Sequence, residues 1–314
     1  MSNKNLVKGI IFALIALLLV SLQPIVALAR PKIIDFYIFA AMTCLIQAII
    51  FLPLVAIERK KIKSLIQIEQ INSPDLELFL NGWKKNKKFL IYLGINFAIA
   101  QALFFIAYQL AGAINGSLAQ QTTIVFALLF GYLINHDRIS KVQIFFVLFL
   151  FFGLFLAITQ GSFNLLEFNI GVLIMFVTTA LWMLAHTLTK PILDRNEITP
   201  TQVVFIRNAL SGLILISTYF IFFPIENINM LFEPINLFFF ISMGILYGFD
   251  VLFWYKSLNK IDVSKATVLV SPMPLLTAVF AFLILGELLT IFHLIGAIII
   301  IFSIFIIVRE KNTD

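Results

Sequence analysis

Two charged residues stand inside otherwise apolar runs: Arg207 in "TQVVFIRNALSGLILISTYF" (201–220) and Asp250 in "FISMGILYGFDVLFWY" (240–255). An ionised side chain surrounded by hydrocarbon is costly, so each marks a candidate site with a partner or solute to find. Tyr247, Asp250 and Trp254 are spaced by three and four and therefore share one helical face. An acid between two aromatic rings can hold an amine or another cation by charge and by cation–π attraction, and the same stripe can equally be packing. Arg207 lies about eight residues into its run, or ~12 Å deep; Asp250 lies about seven residues from the end of its own, or ~10 Å. Matched depth on consecutive antiparallel helices predicts an ion pair and a place in a cavity for at least one of the two. The alternative is an arginine that snorkels to the interface and an aspartate that fixes helix packing.

Other polar residues fall within the apolar runs: Gln23 beside Pro24, Asn96, Gln101, Gln120 with Gln121, Trp182, His186 and Ser271. They are candidate walls of the same cavity, able to touch solute or to hydrogen-bond a neighbouring helix. His186 sits a turn from Lys190, which leaves a proton relay or an interface role open. Pro24, Pro272 and Pro274 are candidate kinks, either in a moving gate helix or in a fixed bend. Catalytic and cofactor chemistry finds little to work with. His136, His186 and His293 are scattered, with no H-E-x-x-H pair, no G-x-S-x-G elbow and no phosphate-cradling glycine loop. No metal site, cofactor or catalytic set is expected. An intramembrane enzyme and a non-transporting membrane scaffold remain as alternatives to a carrier.

The elements that position these residues follow from composition. Of 314 residues, 61% are hydrophobic and 12% charged, and the mean hydropathy is +1.04. A soluble chain has roughly 45–50% apolar and about 25% charged residues. Apolar runs long enough to cross ~30 Å of hydrocarbon recur along the chain and do not alternate with polar residues, so the spans are helices. Ten are expected, at about 7–29, 34–57, 89–111, 113–135, 141–160, 168–189, 199–223, 234–257, 263–285 and 290–308. The first ends in Ala27-Leu28-Ala29, a cleavage-like pattern, but is longer than a signal core and reads as a retained helix. The single cysteine, Cys44, lies within the second span and gives no disulfide framework.

The net charge of +6 is a topology signal and implies no nucleic-acid partner. With the N-terminus placed in the cytoplasm, every lysine and arginine except Arg30, Lys32 and Arg207 falls on the cytoplasmic side. That bias predicts a multi-pass protein of the cell (plasma) membrane with both termini cytoplasmic. The longest polar segment, 58–88, has basic clusters "ERKKIK" and "WKKNKK" and a helix start at Ser73-Pro74-Asp75. It reads as a solvated loop anchoring two spans, with an amphipathic helix on anionic lipid as the alternative.

A shift of 150 residues lays "LGINFAIAQALFFIAY" (93–108) on "MGILYGFDVLFWYKSL" (243–258), matching Gly94/Ala98 with Gly244/Gly248. The same shift lays "FALLFGYLINHDRIS" (126–140) on "LTAVFAFLILGELLT" (276–290), with Asp137 opposite Glu287. Glu287 is read as a turn acid at the outer membrane edge, and Asp137 as its counterpart inside. Two units are expected, 1–160 and 161–314, each with five spans. Five is odd, so the second unit is inverted relative to the first, as in many secondary transporters with a site near the midplane. The fold class is an all-α integral membrane protein of ten transmembrane helices in two inverted five-helix repeats.

The second half also carries a resemblance. Ser257-Leu258, a span with Pro274 near its start, Gly286-Glu287 and Gly296 in the last span resemble the EamA-type repeat of the drug/metabolite transporter superfamily. "GVLIMFVTTALWMLAHTLTK" (171–190) is similar too. In the first half Gln121-Thr122-Thr123-Ile124 replaces the proline region and His136-Asp137 replaces Gly-Glu. The resemblance implies a carrier with a cavity lined by helices 1–4 and 6–9, with helices 5 and 10 outside. It implies a permease or exporter of small metabolites or drug-like solutes working by alternating access. Its expected partners are a small solute, the lipid bilayer and protons or another coupling ion, in a monomer or homodimer.

Overall fold

The computed structural model describes residues 3–69, 74–136, 138–164, 169–223, 228–261 and 263–311. Hydrocarbon offers a backbone N–H or C=O no water, so each apolar run closes its hydrogen bonds internally as a helix. The first unit holds α1 (Asn3–Ala29), α2 (Phe36–Glu69), α3 (Pro74–Lys85), α4 (Lys87–Ala111), α5 (Ala113–Gln120), α6 (Thr123–Asn135) and α7 (Lys141–Ile158). The second holds α8 (Ile170–Asp194), α9 (Pro200–Phe222), α10 (Pro234–Leu258), α11 (Val263–Val270), α12 (Met273–Phe280) and α13 (Ile291–Lys311). Among the described residues ten stretches are long and apolar enough to cross a membrane, with bounds within a few residues of the sequence expectation except where α2 and α8 run on. An even number of spans puts the start of α1 and the end of α13 on one side, called here the terminal side.

Spans four and nine differ from the expectation of single helices. Span four breaks between α5 and α6 at Gln121-Thr122, and span nine breaks between α11 and α12 at Ser271-Pro272. At both breaks amides reach three residues back: Gln121 N to Leu118 O (3.1 Å), Thr122 N to Ala119 O (3.1 Å) and Ser271 N to Val268 O (3.2 Å). Pro272 occupies the second break and Pro274 the first turn of α12, where the missing N–H costs little. The first break contains no proline. Pro24, by contrast, lies within α1, which continues past it to Ala29.

The packing repeats with the sequence. α1 packs on α10 and α4 on α8, while α2 meets its counterpart α9 and α7 meets its counterpart α13. Without a hydrophobic drive between helices in lipid, close approach of backbones does the work. A Cβ on Gly94 would sit 2.5 Å from Leu210 Cβ, and one on Gly244 would sit 2.4 Å from Ile46 Cγ2, the same contact in each half. Gly296 of α13 meets the Gly153 carbonyl of α7, where a Cβ would come within 2.5 Å.

The described parts of the 58–88 segment are helical where a loop was expected, with their lysines exposed to solvent and Gly82 buried. α2 continues through it to Glu69, and α3 docks on the α8–α9 turn. Gly82 lies so near the Glu197 carbonyl that a Cβ would sit 1.8 Å from its oxygen. The buried Glu197 carboxylate accepts from Arg195 Nε (3.1 Å), Lys85 Nζ (2.5 Å) and Asn86 Nδ2 (2.8 Å). Those donors, the Arg195 guanidinium foremost, hold its carboxyl well below the ordinary range, at about 2. Ser73 and Asp137, named above as a helix start and a turn acid, lie outside the described residues.

Candidate functional site

Arg207 is the largest fully buried side chain among the described residues, at 1% exposure. Its neighbours on α9 fix the helix on both sides. Asn208 Nδ2 donates to Gln47 Oε1 of α2 (2.9 Å), and Ser211 Oγ donates to the Gly94 carbonyl of α4 (2.8 Å). With the backbone so pinned, the guanidinium lies 3.7 Å from the Phe97 ring centroid and 6.0 Å from that of Tyr247. Its three nitrogens make no hydrogen bond of good geometry, and the Tyr247 and Tyr255 hydroxyls stand beside the guanidinium.

Asp250 faces another way. Its Oδ2 accepts from Gln23 Nε2 of α1 at 2.9 Å. The expected Arg207–Asp250 ion pair is therefore corrected: no such bridge forms, because α9 turns the arginine onto Phe97 while α10 turns the aspartate toward α1. Rotation about the two helix axes, which decides whether the charges meet, was not legible from sequence. Both charges nonetheless line one cavity of ≈ 760 Å³, mouth included.

The spacing argument for α10 holds, since Tyr247, Asp250 and Trp254 all face this cavity. Trp182 and His186 of α8 complete an aromatic collar. The His186 ring lies 5.8 Å from Phe97 and 5.9 Å from Trp254, and Trp182 lies 5.4 Å from Phe104. The indole Nε1 atoms of Trp182 and Trp254 have no acceptor. Gln120 and Gln121, at the break of span four, also line the space; Gln120 Oε1 takes the Tyr108 hydroxyl at 2.6 Å.

Other candidates stand outside the lining. Gln101 is buried with its Nε2 unpaired, and Asn96 donates to the Tyr92 hydroxyl at 3.3 Å. Ser271 Oγ closes its own turn onto the Val268 carbonyl at 2.8 Å. Pro24, Pro272 and Pro274 are not lining residues either, though Val270 and Met273 flank the second break and do line the cavity. Sequence reasoning missed Phe97, the ring beneath Arg207, because one phenylalanine among 35 carries no signal.

Glu287 is more than a turn acid. Its two carboxylate oxygens accept the backbone N–H groups of Ala113 (2.7 Å) and Ile114 (3.0 Å), so the end of span nine caps the start of span four. A carboxylate is favoured there by the free amides and positive end of a helix N-terminus. The contact ties the two broken spans together on the side opposite the termini. The cavity lining, in contrast, extends to Trp254 and Thr267, near the terminal-side ends of their spans.

Comparison with known proteins decides the family. The sequence pattern of the EamA-like transporter family matches residues 7–159 and again 169–309. The chain belongs to the EamA-like transporter family. Among similar proteins, "Uncharacterized transporter YyaM" of Bacillus subtilis (strain 168) is 25% identical over 228 residues, covering 70% of this chain and 73% of that protein. An "Uncharacterized transporter" of Archaeoglobus fulgidus is 27% identical over 215 residues, covering 67% and 72%. A solved structure described as "Crystal structure of protein" aligns with a TM-score of 0.65 at 12% identity, over 97% of this chain and 98% of that one. This last likeness concerns the fold alone. The EamA-like chain is thus a multi-pass membrane transporter, and among its described residues no cluster of three or more histidine, cysteine, aspartate or glutamate side chains could hold a metal.

Proposed function

We propose that this EamA-like transporter is a secondary carrier that moves small metabolites or drug-like solutes by alternating access, with the solute held between Arg207 and Asp250. The observation that carries the reading is the central cavity, built from both halves and holding a fully buried guanidinium with no carboxylate bridged to it among the described residues. An unpaired buried charge is expensive, and a solute that arrives and leaves gives that expense a use. The two units, 1–160 and 161–314, rock about the breaks in spans four and nine, where short helices meet and Pro272 and Pro274 mark one hinge. Glu287 holds the side opposite the termini closed. The bias of basic residues supports a plasma-membrane protein with both termini cytoplasmic, and in that orientation the cavity opens inward. Protons or another ion supply the coupling.

Purified protein in proteoliposomes should move solute down an imposed gradient, and an inhibitor bound in the cavity should stop it. Chemical conversion without net movement would make the cavity an enzyme's instead. Cysteine labelling within 58–88 from outside intact cells would overturn the orientation.

A further inference from the structure

The lysines around α3 stand in register with the faces that α2 and α4 turn to lipid. On α2 the exposed Ile49, Leu52 and Ile57 share one face, while Phe51, Val55 and Ile62 on the opposite face are buried. The exposed Lys60 and Lys63 continue that outer face beyond Ile57, and Lys61 flanks it. On α4 the exposed Ile91, Ile95 and Ile99 form the same kind of stripe, and Lys87 and Lys88 stand one turn before Ile91 on it. Exposed isoleucines of a membrane span meet hydrocarbon. A lysine one turn further out lays its stem along the acyl chains and carries its ammonium to the headgroups. The α3 helix adds to this edge. Arg59 Nη1 donates to the Leu80 carbonyl (3.1 Å) and Gly82 packs on the Glu197 carbonyl, which leaves Trp83 and Lys84 exposed. Lys84 Nζ lies 5.8 Å from the Trp83 ring centroid, and tryptophan favours the membrane–water interface.

Among the described residues no carboxylate pairs with any of these six lysines. The nearby acids are turned the other way. Glu58 accepts from Thr199 Oγ1 (2.7 Å), and Glu197 is occupied by Lys85, Asn86 and Arg195. We propose that this edge is a binding surface for anionic phospholipid headgroups of the leaflet on the terminal side, with the lysines of α2 and α4 as its charges and Trp83 as its interfacial anchor. A topology signal needs only positive charge on one side of the membrane; here the charges extend two lipid-facing stripes. A soluble acidic partner would have to displace the headgroups that these faces already meet, and neutral headgroups offer the ammonium groups no net charge. Because α3 docks on the α8–α9 turn, lipid held at this edge bears on both halves of the protein.

The test uses the full chain with Trp182→Phe and Trp254→Phe, which leaves Trp83 as its only tryptophan. In mixed bilayers, Trp83 fluorescence reads quenching by phosphatidylglycerol or phosphatidylcholine brominated near the top of the acyl chains. Phosphatidylglycerol should associate beside Trp83 at least about fivefold better, the effect of one lysine near an anionic surface. The preference should fall toward parity in concentrated salt, which screens exposed charges. Lys60→Gln, Lys61→Gln, Lys63→Gln, Lys87→Gln and Lys88→Gln together should remove it, and arginine at the same five positions should keep it. Lys141→Gln with Arg309→Gln, a charge loss on α7 and α13, should leave it in place. Should the glutamine variant fail to insert, the unaltered protein reads the same surface. It should retain phosphatidylglycerol through purification in low salt and release it in a salt wash, as counted by mass spectrometry. Equal quenching by the two lipids, a preference indifferent to salt, or one lost as fully in the α7–α13 control would overturn the assignment. Polyglutamate that binds the protein and resists displacement by phosphatidylglycerol would overturn it too, giving the surface to an acidic protein partner. With lipid as the readout, failure here leaves the carrier reading untouched, and an absence of solute flux leaves this surface standing.

Discussion

The first five spans and the last five share a frame and divide the chemistry. In both, the fourth span breaks at the same repeat position, Gln121-Thr122 in one and Ser271-Pro272 in the other. In both, the same span ends in a left-handed residue, His136 (φ 57°) and Gly286 (φ 70°). In both, a glycine of the third span lets the partner half approach, Gly94 for Leu210 and Gly244 for Ile46. Yet the two cavity charges belong to the second half alone. The repeat places Ala100 opposite Asp250, and the first half contributes the amides Gln23, Gln120 and Gln121. Packing geometry is shared by both halves, while the two charged side chains of the cavity come from one. The pair of breaks also separates cause from ornament: a span can break here without proline, so tertiary packing imposes the break.

The largest effect should expose the divided chemistry. Arg207→Ala should lower transport by roughly 100-fold, whereas Gln120→Leu should lower it by less than about tenfold, since losing a buried charged contact outweighs losing one amide. Equal losses would mean that recognition is shared between halves. The empty protein should lose little thermal stability on Arg207→Leu, because only the Phe97 and Tyr247 rings and loosely placed hydroxyls offset the burial of the guanidinium. A marked fall would point to a structural arginine.

The shared frame predicts equality instead. Gly94→Leu and Gly244→Leu should each destabilise the protein by about 1–3 kcal/mol through overpacking, read from thermal unfolding in detergent. A large effect in only one half would break the repeat argument. Next in size, Glu287→Ala removes the acceptor of two helix-start amides and should cost ~1 kcal/mol, and it should raise labelling of span four from the side opposite the termini. Pro272→Ala should matter less still, leaving transport within about threefold, because Gln121-Thr122 breaks without proline; a loss as large as that of Arg207→Ala would restore the proline as the cause.

What was legible in the sequence follows the same division. Span positions and the five-and-five repeat were readable because each depends on run length and glycine spacing, which are properties of a single strand of text. The face shared by Tyr247, Asp250 and Trp254 was readable because it needs only the helical period. The Arg207–Phe97 stack, the Gln23–Asp250 bond and the missing ion pair were not, since each depends on how two distant helices are rotated against each other. Glu287 illustrates the limit well. Its residue type and place near a turn were visible, but its ligands are backbone amides of residues 113 and 114, which no side-chain pattern announces.

The smallest expected effect concerns α3, for which no second-half counterpart stands among the described residues, and it tests whether this addition is fastened by Glu197. The Glu197 carboxyl sits at about 2 in the folded protein, below an unfolded value of about 4.3. A depressed carboxyl stabilises the docked state fully above the unfolded value and loses that contribution as pH falls toward the folded one. Docking of α3 should therefore weaken between about pH 4.3 and about 2 and be insensitive to pH above that window. Lys85 and Arg195 are exposed on their outer faces, so the fastening should also soften in high salt. Hydrogen-exchange protection of amides 79–86, referenced to intrinsic rates at each pH, should fall across the window in the wild type and stay level in Glu197→Gln. Equal pH profiles in the two proteins would shift the credit to Gln202, which donates to the Phe79 carbonyl at 3.0 Å, and to the close fit of Gly82. Transport should be nearly unchanged in either case, because none of these groups lines the cavity.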